Sequence, residues 1–170
     1  MKTTLPFMLL VISVLGCNKF GPDTSSTSNS NSSNSSYTAT AKIAKVVDLP
    51  ATIGKSRDEI KKMINGTPKS EDPWLEYSLP EAELTFRFDK GKASHATFNF
   101  KAVSVGGSTV SGTDTAEQLG TMAGVDIKGK SPTSTGGLAD TYEVEIGGKK
   151  AQASFYHPGG NFNMVMIQPN

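Results

Sequence analysis

Between Ser56 and Phe100 the apolar residues recur first at helical spacing and then at every second position. Ser56-Arg57-Asp58-Glu59 has the form of a capping box, in which Ser56 accepts from first-turn amides and Glu59 reaches back. Ile60, Met63 and Ile64 follow on one helical face, Gly66 closes the helix and Pro68 prevents its resumption. Then Leu75, Tyr77 and Leu79 alternate with polar residues, as do Leu84, Phe86 and Phe88, and again Ala96, Phe98 and Phe100. This two-residue repeat with aromatics predicts three strands with one buried face. Asp89-Lys90-Gly91-Lys92 fits a three-residue hairpin loop with Gly91 as a left-handed bulge, which sets Phe88 opposite Lys92, Phe86 opposite Ser94 and Leu84 opposite Ala96.

The second half carries the same order of signals more weakly. Asp114-Thr115-Ala116-Glu117 is a looser capping box, followed by Leu119, Met122 and Ala123 and a stop at Gly124. Tyr142, Val144 and Ile146 come next, then Ala151, Ala153 and Phe155, a turn at His157-Pro158-Gly159-Gly160, and a last strand from Phe162 to Ile167. A helix plus a three-stranded meander, used over residues 50–105 and again over 110–170, predicts an α+β domain with helices on one face of antiparallel sheet.

The last strand is apolar on both sides. Phe162, Met164 and Met166 point one way, Val165 and Ile167 the other. A two-residue loop at Pro158-Gly159 pairs Phe155 with Phe162 and leaves Val165 and Ile167 on the open face; a loop longer by one residue on either side reverses this. Trp74, opposite in phase to Leu75, Tyr77 and Leu79, either projects from that open face or packs laterally against a loop. Trp74, Val165 and Ile167 are therefore the candidate interface. The competing reading is that Ala41 to Leu49, with Ile43, Val46 and Val47, folds back to cover the exposed apolar groups.

At the other end, Lys2 is followed by an apolar run from Leu5 to Leu15, then Gly16 and the single cysteine, Cys17. The run has signal-peptide length and is too short to span a bilayer comfortably. Val14, Gly16 and Cys17 make this segment resemble a bacterial lipoprotein precursor, whose lipobox has an aliphatic residue three before the cysteine and a small one just before it; Leu15 is a less usual occupant. The resemblance implies a signal peptide over 1–16, a diacylglycerol thioether and acylated amine at Cys17, and a membrane partner reached through that anchor. Asn18, not Asp, after the cysteine implies the outer membrane in bacteria that have two. The alternative is an ordinary secretory signal beside a free cysteine.

Residues 17–40 are mostly Ser, Asn and Thr, with no charge between Thr24 and Ala41, and read as a disordered tether with a root-mean-square reach of about 25 Å. Residues 41–170 read as the folded domain, long enough to bury a core without disulfides. Loss of Lys2 brings the net charge from +1 to zero, and the interspersed charges form no basic stripe, which argues against nucleic acid.

Within the domain, Gly54-Lys55-Ser56-Arg57-Asp58-Glu59-Ile60, Ile64-Asn65-Gly66-Thr67-Pro68, Trp74-Leu75-Glu76-Tyr77 and Leu84 to Lys92 resemble, in order and spacing, the SmpA/OmlA (BamE-like) family of outer-membrane lipoproteins. That family includes a small subunit of the barrel-assembly machinery and shares its fold with β-lactamase-inhibitor proteins. The resemblance spans about 50 residues, with Asn65 as an insertion before Gly-x-Pro and Ala93 where valine is common. The family's single-copy members lack a second meander, so the tandem order is closer to the inhibitor branch.

No catalytic constellation is legible. His95 and His157 lack partners at metal-ligand spacing; His95 reads as a surface residue beside Arg87 and Thr97, and His157 as a turn residue. Gly106-Gly107-Ser108 lies in a Gly/Ser/Thr loop without a strand-to-helix context, and the Gly-Gly pairs at 136, 147 and 159 read as turns. Glu81 with Glu83 and Glu143 with Glu145 sit in open solvent. The expectation is a non-enzymatic envelope protein without metal or cofactor, with an envelope protein as partner. It would act by contact, either scaffolding or stabilising an outer-membrane assembly or serving as an inhibitor or ligand-binding lipoprotein.

Overall fold

A computed structural model describes residues 43–105 and 108–170. The signal segment, Cys17, Asn18 and the Ser/Asn-rich stretch through Thr40 lie outside the described residues, as do Gly106 and Gly107.

The helix starts follow local chemistry. Helix α1 (Leu49–Thr52) was not expected; Asp48 caps it, its side chain accepting from the Ala51 amide at 3.2 Å. In α2 (Arg57–Met63) the Ser56 amide donates to Glu59 Oε2 at 2.7 Å and the Glu59 amide to Ser56 Oγ at 3.3 Å. Acidic residues occupy the first turn of α2 and Lys61 and Lys62 the last, each complementing the helix dipole. Helix α3 (Ala116–Ala123) starts one residue later than expected, because Thr115 is the cap and Gln118 its reciprocal partner. It ends on Gly124 at φ +73°, where a side chain would also meet the Val47 carbonyl at 2.8 Å.

Seven strands form one antiparallel sheet: β1 (Leu75–Ser78), β2 (Ala82–Asp89), β3 (Lys92–Phe100), β6 (Ser134–Thr135), β7 (Ala139–Ile146), β8 (Lys149–Tyr156) and β9 (Met164–Pro169), in the order β1-β2-β3-β9-β8-β7-β6. Strands β4 (Val103–Val105) and β5 (Ser108–Val110) pair apart from it, in a stretch expected to be loop. Two cross-strand rows carry the core: Tyr77, Leu84, Phe98, Val165 and Phe155 in one, and Leu75, Phe86, Ala96, Ile167, Ala153 and Tyr142 in the next. Leu49, Ile60, Ile64, Leu119 and Met122 close the same cluster, so the helices cover one face of an α+β sheet.

Two hairpin expectations are corrected. The β2–β3 connection is a two-residue loop in which Lys90 (φ +48°) and Gly91 (φ +77°) both take positive φ, the condition for a type I′ turn. Asp89 therefore faces Lys92, and Phe86 faces Ala96, with a bulge that takes up Ser94 between the pairs Phe88–Ala93 and Arg87–His95. Because of the bulge, Ala93 and Ala96 both reach the core.

The second correction concerns Val165 and Ile167, both 0% exposed and so core rather than interface. Neither short loop forms: residues 157–163 make the connection, Phe155 faces Val165, and Tyr156 faces Met164. Phe162 is pulled out of the ladder by Thr113, whose amide donates to the Phe162 carbonyl at 2.7 Å while the Phe162 amide returns to Thr113 at 2.9 Å. The parity of the strand follows from that long-range bridge. The segment from Ile43 does fold onto the domain, but on the helix side: the Val46 and Val47 amides donate to the Met122 carbonyl, and Ile43, Val46 and Val47 pack against the core.

Candidate protein-binding face

Residues of the sheet in the opposite phase to the core build its second face. The central strand β9 puts Met164 and Met166 there, each half-buried. Met164 lies between Asn99 and Tyr156 in the neighbouring strands, and Met166 between Thr97 and Ser154. The middle of this face is therefore uncharged, with two flexible thioethers and a phenol among small polar groups. Thr141 and Ser154 hydroxyls hydrogen-bond across it at 3.1 Å.

Charges lie around that centre and are mostly paired. On the β1–β2 side the Ser78 hydroxyl donates to Glu83 at 2.8 Å, and Lys101 and Lys69 lie 3.5 and 3.8 Å from the same carboxylate. The Ser78 hydrogen bond first, and then these cations, hold the Glu83 carboxyl below its ordinary range. On the far side Lys150 and Glu143 pair at 3.0 Å. Exposed pairs of this sort contribute little stability, about 0–1 kcal/mol each, but they frame the surface.

Trp74 sits just before β1 and is 41% exposed. The guanidinium of Arg87, which projects from β2 on the open face, lies 4.6 Å from its ring centroid. Trp74 thus belongs to this face at its edge, held by a cation on one side of the ring. Val165 and Ile167 do not join it, and Cys17 lies outside the described residues. Sequence reasoning placed Met164 and Met166 on the open face only in the reversed alternative and missed Tyr156. The one signal for them is indirect, since β-branched Val165 and Ile167 suit a packed strand interior better than flexible methionine does.

The remaining polar groups do not converge on a reactive centre. His95 is half-buried opposite Arg87, with Nδ1 3.1 Å from Ser94 Oγ. His157, expected as a plain turn residue, instead places Nε2 3.7 Å from Asp140 Oδ1 and its ring 4.9 Å from that of Phe162. No group of three or more His, Cys, Asp or Glu able to hold a metal occurs among the described residues. A cleft beside α2, lined by Val46, Thr52, Met63, Ile64 and Leu79, contains the Lys45–Asp48 ion pair and Glu81 as its charged groups. Among the described residues no helix is long and apolar enough to cross a membrane.

No protein-family model and no curated protein matches the chain. Among solved structures it is similar to a cysteine-rich secretory protein from Staphylococcus aureus subsp. aureus Mu50, with a TM-score of 0.43 and 11% sequence identity, covering 75% of this chain and 50% of that one. The chain spans half the length of that protein. The α+β assignment rests on the sheet described above.

Proposed function

We propose that this chain is a lipid-anchored cell-envelope protein that acts by protein–protein contact, scaffolding or stabilising an outer-membrane assembly, with the open face of its sheet as the contact surface. The observation that carries the reading is the partly exposed centre formed by Met164, Met166 and Tyr156, which no helix among the described residues covers, with Trp74 and Arg87 at its edge. Methionine, tyrosine, tryptophan and arginine are the residue types over-represented at interface centres, and paired charges form the usual polar rim. The lipobox pattern ending at Cys17 supports a membrane location, and the SmpA/OmlA-like motifs between Gly54 and Lys92 support an outer-membrane assembly.

The same face serves a second reading, an inhibitor or ligand-binding lipoprotein. What favours it is the chain order: a capped α2 before β1-β2-β3, then a capped α3 before β7-β8-β9, the two-copy plan that resembles β-lactamase-inhibitor proteins. Affinity purification of the full chain from detergent-solubilised membranes separates the two. Co-purified barrel proteins support the scaffold, and a soluble secreted enzyme supports the inhibitor. Trp74→Glu with Met166→Lys should abolish capture while far-UV circular dichroism stays unchanged; undiminished capture by that folded variant refutes the surface assignment. Cys17→Ser should move the protein to the soluble fraction, and retention in membranes refutes the anchor.

A further inference from the structure

The two edges of the sheet are finished differently. Along β1 the preceding loop turns back to pair with the strand: the Lys69 amide donates to the Glu76 carbonyl at 2.7 Å, and the Glu76 amide to the Ser70 carbonyl at 2.9 Å. Along β7, strand β6 reaches only Asp140 and Thr141. The Gly136 and Thr133 amides donate there to the carbonyls of Ala139 and Thr141, at 2.9 and 2.7 Å. From Tyr142 to Ile146 no strand among the described residues pairs on that side. Outward-directed main-chain groups alternate along an antiparallel strand, so the row begun by Ala139 and Thr141 continues at Glu143 and Glu145. Unpaired amides and carbonyls of this kind are a template for another strand.

Side chains decide which strand fits. Glu143 and Glu145 are exposed on the open face, while Tyr142 and Val144 are buried on the other. Glu143 pairs with Lys150, and Glu145 has no ion pair among the described residues. A second copy laid antiparallel about Val144 would set Glu143 against Glu145 twice, and like charges directly opposite are destabilising. The edge is thus guarded against its own kind and open to the opposite charge.

We infer that the outer edge of β7, from Tyr142 to Ile146, accepts by strand addition an extended segment of another protein with Lys or Arg at alternate positions and apolar residues between them. Main-chain bonds to Glu143 and Glu145 hold the segment, and cations above the two carboxylates set its register. This edge borders the Met164 and Met166 face, with Glu143 in the charged rim of both, but the strand addition runs through main-chain groups of β7 and does not depend on the role of that face.

The test is a fluorescence titration of the full chain in detergent with an end-capped Lys-Val-Lys-Val-Lys peptide. Saturable binding is expected, with slowed hydrogen exchange at the Glu143 and Glu145 amides, and no binding of the Glu-Val-Glu-Val-Glu counterpart. E143K with E145K should weaken binding about tenfold or more. The isosteric E143Q/E145Q pair, which cannot disturb packing at these exposed positions, should weaken it severalfold. N-methylation of alternate peptide amides should abolish it. Absence of binding, equal binding by the N-methylated peptide, or exchange protection confined to other strands overturns the inference. Undiminished binding to the glutamine pair overturns the register claim and the inference with it.

Discussion

Replacing Val165 with alanine removes two methyl carbons from the middle of the row that runs Tyr77, Leu84, Phe98, Val165 and Phe155 across five strands. Val165 is 0% exposed and has Phe98 on one side and Phe155 on the other, so the surroundings cannot relax into the space without moving aromatic rings. At about 0.8 kcal/mol per buried carbon the transfer loss is about 1.6 kcal/mol. A residual cavity costing about 24 cal/mol per Å³ brings the total to about 2.5 kcal/mol. For a domain of about 130 residues this corresponds to a Tm lowered by about 10 °C. Met166→Ala, one position along the same strand but on the open face, should cost less than Val165→Ala, about 1 kcal/mol, because its side chain is partly in solvent and leaves no enclosed cavity. Urea unfolding of the full chain checks both, with far-UV circular dichroism and the fluorescence of the lone Trp74 as probes. A Met166→Ala variant as damaged as Val165→Ala, or more so, would mean that β9 pairs one residue out of the register described, and the argument for the open face would fall with it.

Two further outcomes follow from local geometry. The Glu59 carboxyl is lowered from its ordinary 4.5 to about 2, chiefly by the Ser56 amide and then its hydroxyl, with Lys92 and Lys55 adding to this. A depressed carboxyl stabilises the fold fully above pH 4.5 and loses that contribution as pH falls toward 2, so Glu59→Gln should flatten the acid side of the stability profile measured by urea unfolding; an unchanged slope between pH 4.5 and 2 refutes it. Gly124→Ala should destabilise by about 2 kcal/mol or more, since φ is +73° and the new Cβ would lie 2.8 Å from the Val47 carbonyl, and a thermal shift of under a few degrees would count against that close approach.

The parts legible in the sequence are those fixed by neighbours. The α2 cap is written within four residues, and the α3 cap was misplaced by one because Thr115 with Gln118 competes with Asp114 with Glu117 at equal spacing. Strand phases in β2 and β3 were legible from aromatic alternation. Their register was not, since Lys90 gives no advance sign of adopting a positive φ beside Gly91. The phase of β9 lay further out of reach: Thr113 captures Phe162 from 49 positions away, through two main-chain hydrogen bonds and its hydroxyl, and no local spacing announces a contact at that distance. The proposed binding face depends on that phase. Trp74 could therefore be proposed from its own spacing, whereas Met164 and Met166 stood only as the reversed alternative to Val165 and Ile167.

Strand β9 stands between β3 and β8, although both precede it in the chain. Any process that delivers this polypeptide from its amino end, whether synthesis or threading through a translocation pore, releases β1 to β3 and β6 to β8 as two unjoined ribbons, each with a bare flank. Residues 164–169 arrive afterwards and are the wedge that seals them. Until they do, both flanks stay open to mispairing, and that window closes with a single late event.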